Sequence, residues 1–243
     1  PLHFKRHPLP DRGSETYRDM KQIYAIAILA SIVSCSQMNE LQPQGGIILE
    51  QQLKEVNALV PSRADASFNG MFTKLGAPGG VTGGSRPDDF GFIMMAFSND
   101  IEAADVVLAN SGYNWFSACG SLTSRNADYA NPYIRYAAPY NTIAAANTVL
   151  NSYSEESEDP SVIYKLAQAK AIRAFAYLNL APYFQFGYAA GAQDKPCIPI
   201  VTEETADFTD NPRATVAEVY DRIISDLSYA IQNLEGYVRT DKP

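Results

Sequence analysis

Three long segments with helical spacing, all in the second half of the chain, constrain its fold more than any other feature. The last, residues 215–234, opens with Thr215 and Glu218 as a capping box and continues with an aliphatic stripe. Residues 131–153 and 159–182 begin with Asn131 and Asp159 as predicted caps. Both segments are rich in alanine, whose small side chain lets a neighbouring helix approach closely. The pattern therefore predicts a mostly α fold built from antiparallel helix pairs.

The first half of the chain carries weaker signals. Ser62 is a suitable N-cap for a helix that runs to residue 75. The glycine-rich stretch 76–87 has no preceding β-run and no Gly-Lys-Ser/Thr, which favours a flexible surface loop over a phosphate site. Residues 109–129 indicate a long loop, and Pro139 is expected to bend or divide the helix that follows. Helix pairs of this kind are typical of tetratricopeptide units, although no clean repeat is present.

An apolar run near the beginning predicts export. Lys21 gives a positive flank, residues 23–33 carry no charge, and Ser34 precedes Cys35. The run is too short to cross a bilayer, which takes about 20 residues. Residues 32–35 resemble a lipobox, after which Cys35 becomes the lipid-bearing first residue of the mature chain. The alternative is an ordinary signal peptide with a coincidental cysteine.

The same run divides the chain into regions. Residues 1–19 do not begin with Met and show no periodicity, so we expect a non-native leader, with Met20 as the true start of a signal peptide over 20–34. Residues 35–46 are polar and predict a tether. Residues 47–243 make up the folded region.

Residue chemistry limits the reactions open to the mature chain. The two histidines of the sequence, His3 and His7, both lie in the expected leader, so the mature chain from Cys35 contains no histidine. Catalysis by Ser-His-Asp or Cys-His and metal binding by imidazole are therefore not expected, and no cofactor is indicated. Cys119 and Cys197 lack a CxxC pattern and are predicted to be buried or free thiols. The net charge of −8 and the lack of a basic run argue against nucleic-acid binding.

Several segments resemble the amino-terminal half of the SusD/RagB family, in addition to the lipobox. They are residues 61–65 (PSRAD), 141–150 (NTIAAANTVL), 168–178 (QAKAIRAFAYL) and 213–234. The resemblance implies an outer-membrane lipoprotein that faces the outside and is built on tetratricopeptide-like helix pairs. It implies further that the protein sits over a SusC-like TonB-dependent transporter and hands it oligosaccharides. Family members are about twice as long, so the carboxy-terminal half is expected to be missing.

One loop offers the chemistry that an oligosaccharide needs. Sugar rings stack their C–H faces on aromatic rings, and their hydroxyls bond to amides and charged groups. Trp115 has the largest ring face, Tyr113 a second, and Asn114 an amide. Arg86 and Asp88 are candidate hydroxyl partners if their loop folds alongside. The alternative is that Trp115 fills a core and the loop merely connects two helices.

Two other functions remain open from the sequence. A secreted glycoside hydrolase would need paired carboxylates, and the obvious pairs are Asp88-Asp89 and Glu203-Glu204. Adjacent residues rarely approach one bond from opposite sides, so this reading is weaker. The other is an interaction module whose helix pairs bind peptides or another protein and no sugar.

Overall fold

A computed structural model describes residues 56, 60–84, 86–103, 105–108, 115–205 and 210–238. The chain divides into two compact units, residues 1–52 and 53–243, and every described residue belongs to the second. The predicted leader, signal, tether and Cys35 lie outside the described residues, as do Tyr113 and Asn114.

The described part of the chain contains α-helices and no β-strand, which confirms the predicted mostly α fold. Its only strand-like pairing is an isolated antiparallel bridge between Pro196 and Thr215. Short 3₁₀ turns cover Thr123–Arg125 and Tyr188–Ala190. The helices are α1 (Pro61–Thr73), α2 (Gly91–Glu102), α3 (Ser117–Gly120), α4 (Ala130–Ser152), α5 (Pro160–Phe184) and α6 (Val216–Asn233).

Helix α5 is the centre of the fold, with α4 on one side and α6 on the other. Arg173 bonds to Asp226 of α6, and one turn earlier the Lys170 ammonium lies 4.2 Å from the centre of the Tyr229 ring. Because a step back along α5 is a step forward along α6, the two helices are antiparallel. Helix α1 packs against α4. None of the helices described is long and apolar enough to cross a membrane.

Alanine gives α5 its close contacts with both neighbours. Ala167, Ala169, Ala174 and Ala176 have no exposed surface. Larger side chains fill the space between the helices, among them Tyr177, which is also fully buried. This is the close packing that the alanine-rich pattern predicts.

A buried polar network joins the three long helices. Nε and Nη2 of Arg173 donate to Asp226 Oδ2 and Oδ1 at 2.7 and 2.9 Å. Its Nη1 donates to Asn147 Oδ1 at 2.8 Å and to Glu203 in the α5–α6 connection. The Arg173 and Asp226 side chains are 0% and 1% exposed, so each depends on the other for its hydrogen bonds.

Helix ends agree with the sequence where the signal is local. Asp159 caps α5 as predicted, and its Oδ1 accepts a bond of 2.9 Å from Ser161 N–H. The predicted caps Ser62 and Asn131 are wrong, because each lies inside its helix. Pro139 is buried within a continuous α4 and does not divide it.

The glycine-rich stretch is tied down rather than free. Asp89 is fully buried, and its Oδ2 accepts bonds from the Val81 N–H and from the N–H and Oγ1 of Thr82, at 3.1, 2.7 and 2.8 Å. The expectation of a flexible loop is therefore corrected: a buried carboxylate organises the turn before α2.

Thr215→Ala is expected to lower the free energy of unfolding by about 1 kcal/mol, because it removes half of the α6 capping box. Thr215 Oγ1 accepts from Glu218 N–H at 3.2 Å, and Glu218 Oε2 accepts from Thr215 N–H at 2.7 Å. Urea unfolding followed by circular dichroism measures the loss. Ser228→Ala on the exposed side of α6 is the control, and equal effects from both substitutions would contradict the capping role.

Candidate functional site

Two of the predicted ligand-binding residues lie side by side. The Arg86 guanidinium carbon is 4.6 Å from the centre of the Trp115 ring, a cation–π contact. The loop of Arg86 therefore folds beside the loop of Trp115, as the sequence argument required. One face of the indole is occupied by this cation, which fixes the orientation of the ring.

Asp88 holds Arg86 in that position. Arg86 Nε and Nη2 donate to Asp88 Oδ1 and Oδ2 at 3.0 and 2.7 Å, so the pair is bidentate. The Asp88 side chain is fully buried, whereas that of Arg86 is 30% exposed. Asp88 is thus engaged by Arg86 and holds the guanidinium in place through two hydrogen bonds.

Trp115 and Phe116 have different surroundings. Phe116 packs edge-on against Phe97 of α2, with ring centres 5.1 Å apart. Both Trp115 and Phe116 are half-buried. Phe116 is therefore the residue that anchors the loop to the helices, and Trp115 is the one that stands against Arg86.

Three of the four carboxylates considered for catalysis have structural partners. Asp88 binds Arg86, Asp89 binds the glycine-rich turn, and Glu203 binds Arg173. Burial alone would raise the pKa of Glu203, but the charge and hydrogen bond of Arg173 outweigh it and hold that pKa below its ordinary value. Among the described residues, no group of His, Cys, Asp and Glu could hold a metal ion.

A second polar cluster lies at the far end of α2, where the sequence gave no site prediction. Arg135 of α4 makes a bidentate pair with Glu102 of α2, with N–O distances of 3.1 and 2.8 Å. Ser124 donates to Glu102 at 2.5 Å, and the Arg135 guanidinium carbon is 5.0 Å from the centre of the Tyr183 ring. Apolar residues Phe92, Met95 and Ile101, spaced by three and six, were the signal for α2 that could have placed Glu102 on a helix.

Cys119 and Cys197, the cysteines in the described part of the chain, are both buried and neither is in a disulfide, as predicted. Burial raises the pKa of the Cys119 thiol, and the same cause raises the pKa of the Cys197 thiol. A thiol with a raised pKa is a poor nucleophile and a poor metal ligand. Neither cysteine adds to the chemistry of the site.

Comparison with known proteins gives consistent matches to one family. The sequence profile of SusD-like proteins, described as starch-binding and associating with the outer membrane, matches residues 93–240. That segment is more than half of the chain. Among the curated proteins, none matches.

Solved structures give the same result. A SusD-like carbohydrate-binding protein from Bacteroides vulgatus ATCC 8482 is similar over 74% of this chain and 37% of its own, with 26% identity and a TM-score of 0.60. A laminarin-binding SusD-like protein matches with 20% identity and a TM-score of 0.48, over 71% and 34% of the two chains. A SusD superfamily protein from Bacteroides fragilis matches with 23% identity and a TM-score of 0.48, over 69% and 38%. The chain therefore spans between 34% and 38% of the length of these structures.

Proposed function

The chain belongs to the family of SusD-like starch-binding proteins that associate with the outer membrane, and from this premise we propose that it captures oligosaccharides and delivers them to a SusC-like TonB-dependent transporter. The observation that carries the proposal is the match of the family profile to residues 93–240. The similarity to a SusD-like carbohydrate-binding protein at 26% identity supports it.

The lipid-anchored location is part of the proposal. Met20 starts a signal peptide that ends at Ser34, and Cys35 carries the lipid that holds the protein on the outer membrane, facing outward. Residues 35–46 form the tether, and the folded region begins at residue 47. The apolar run and the residues that precede Cys35 support this arrangement.

The loop of residues 113–116 is the proposed sugar platform. The Arg86 guanidinium lies over the Trp115 ring, so a sugar that contacts the indole also meets this arginine. Asn114 and Tyr113 precede Trp115 directly in the chain and supply an amide and a second ring. Because Asp88 fixes Arg86 and Arg86 orients the indole, the aromatic surface is held in place before the ligand arrives, which reduces the entropy cost of binding.

Binding without cleavage fits the chemistry of this region. A glycosidase needs one carboxyl that donates a proton and a second that acts as base or nucleophile. Asp88, Asp89 and Glu203 are instead committed to Arg86, to a turn and to Arg173. The protein holds its ligand through ring faces, amides and one arginine, and it releases the ligand unchanged.

Trp115→Ala is expected to weaken oligosaccharide binding by about tenfold to a hundredfold, since an aromatic stack contributes a few kcal/mol. Calorimetry on the full-length protein, with the best ligand from a glycan array that includes maltooligosaccharides and laminarin oligosaccharides, measures the change. Tyr133→Ala is the matched control, because Tyr133 is an aromatic residue of α4 that is 58% exposed.

Three results would count against the proposal. If Trp115→Ala and the unaltered protein bound the oligosaccharide with equal affinity, Trp115 would not be part of the sugar platform. Binding of peptides with no saccharide binding would favour the helical interaction module instead. Release of shorter sugars during prolonged incubation would show an enzyme.

A further inference from the structure

A cleft of about 660 Å³ opens at the carboxyl end of α2, and neither Arg86 nor Trp115 is among its lining residues. It lies between the end of α2, the 3₁₀ turn Thr123–Arg125, the first turns of α4 and the last turn of α5 with the residues after it. Its volume is within the range of small-ligand sites, about 300–1,000 Å³. We name it the Arg135 cleft after the arginine in its wall.

Arg135 and Glu102 form a charged pair in the wall of the cleft, and separating them would leave buried charges without partners. The side chains of Arg135 and Glu102 are only 8% and 13% exposed. Burial by itself would raise the pKa of Glu102, but the hydrogen bonds from Arg135 and Ser124 outweigh it and hold the pKa below its ordinary value. Glu102 therefore stays ionised and its charge cancels that of Arg135. Each terminal nitrogen of Arg135 donates one bond to Glu102 and keeps a second N–H.

Arg125 gives the Arg135 cleft a surplus positive charge. Its side chain lines the cleft and is exposed, and it forms no ion pair with any residue that the structure describes. Glu102, already neutralised by Arg135, is the single acidic residue among the described lining residues. The surplus positive charge of this cleft favours an anionic ligand there, although the net charge of the chain is −8.

The same cleft has aromatic walls. The Tyr183 ring lies under the Arg135 guanidinium, and its hydroxyl donates to Asn99 Oδ1 at 2.8 Å, so the ring is fixed. Phe186 stands at the mouth with 78% of its surface exposed. An exposed ring beside a cation is the combination that binds a pyranose with an acidic substituent: the C–H face stacks on the ring and the anion pairs with the guanidinium.

We propose that the Arg135 cleft is a second saccharide site, selective for sugars that carry a carboxylate, in which Arg125 pairs with the uronate and Phe186 supports the sugar ring. The inference rests on the proposed function in one respect, that the ligand is an oligosaccharide. It adds a site that is separate from the Trp115 platform and a charge preference that the platform does not have.

The test compares three uronate oligosaccharides with their neutral methyl esters by calorimetry on the full-length protein at low salt. The probes are trigalacturonate, a mannuronate trimer and a hyaluronan tetrasaccharide. At least one acid is expected to bind about tenfold or more tightly than its ester, since each charge-assisted hydrogen bond contributes roughly that factor. Arg125→Gln is expected to remove the preference for the acid over its ester, and Phe186→Ala to lower the affinity for both. Added salt is expected to reduce the difference in affinity between acid and ester.

Three controls separate the possible outcomes. Arg63→Gln removes an exposed arginine from α1 and leaves the preference intact. Trp115→Ala leaves uronate binding unchanged while it weakens neutral oligosaccharides. Thermal melts confirm that each variant is folded, which is expected because Arg125 and Phe186 are exposed.

The proposal is overturned if no uronate binds, if Arg125→Gln keeps the full preference, if Trp115→Ala abolishes uronate binding, or if a triglutamate peptide binds as tightly as the sugars. Neutral oligosaccharide binding that depends on Trp115 would survive each of these results, so failure of the second site is distinguishable from failure of the proposed function.

Discussion

Arg173→Met is expected to destabilise the protein by about 3–5 kcal/mol, the usual cost of leaving a buried charge without its partner. Asp226 is 1% exposed, and both of its oxygens accept bonds from Arg173. Methionine fills a similar volume but supplies no donor, so Asp226, Glu203 and Asn147 all lose a hydrogen bond. Urea unfolding followed by circular dichroism measures the loss.

Arg222→Met is the matched control for this prediction. Arg222 lies 3.9 Å from the same Asp226, but its side chain is 36% exposed. A surface pair of that kind contributes about 0–1 kcal/mol. If Arg173→Met and Arg222→Met lost equal stability, the buried network would not explain the destabilisation of Arg173→Met.

The same network predicts a pH dependence. Arg173 holds the pKa of Glu203 below its ordinary value of 4.5 against the opposing effect of burial. The stability that this shift contributes is complete above the ordinary pKa and is lost as the pH falls through the lower folded value. When the pH is lowered from neutral to acid, the free energy of unfolding of Arg173→Met should therefore fall by less than that of the unaltered protein. In the variant Glu203 no longer titrates at a depressed pKa.

Gly91→Ala is expected to cost about 2–4 kcal/mol, from roughly 1 kcal/mol of backbone strain and a steric term of similar or larger size. Gly91 begins α2 with φ +60°, in the left-handed region. An added Cβ would lie 2.5 Å from Leu75 O and 2.8 Å from Leu75 C, closer than real contacts allow. The clash is with backbone, and that backbone also accepts the Phe92 N–H at 3.0 Å, so it cannot easily move.

Gly70→Ala supplies a control of opposite sign. Gly70 lies inside α1, and an added Cβ there meets nothing within 4 Å. The substitution should stabilise the protein by about 0.5–1 kcal/mol, since alanine favours the helix. Thermal unfolding of the two variants side by side decides the matter, and a Gly91→Ala protein as stable as Gly70→Ala would refute the proposed clash.

The way in which each helix begins explains which helices could be predicted from the sequence. Helices α5 and α6 begin with local caps, Asp159 and the Thr215–Glu218 box, so a few consecutive residues identify them. Helix α2 begins at a glycine whose conformation is required by Leu75, a residue far back in the chain. No local pattern reports that requirement, so the sequence does not fix where α2 begins, although the spacing of Phe92, Met95 and Ile101 indicates the helix itself.

The candidate site was predictable to a similar degree. Trp115 and Arg86 could be proposed as neighbours because aromatic and cationic residues suit a sugar, and they do lie together. The pairing of Glu102 with Arg135 joins residues 33 positions apart on two helices, one of which was not predicted. The pairing of Asp88 with Arg86 could not be read from the sequence, because only the fold shows that this carboxylate is buried against the guanidinium.

The two buried thiols, Cys119 and Cys197, can report where the fold opens. Alkylating reagents attack the thiolate, and burial both hides each sulfur and raises its pKa, so neither reacts while its surroundings are closed. Cys119 sits in α3 beside the Trp115 loop, and Cys197 sits in the connection between α5 and α6. Labelling of Cys119 follows exposure of the loop that carries Trp115, and labelling of Cys197 follows separation of α5 from α6.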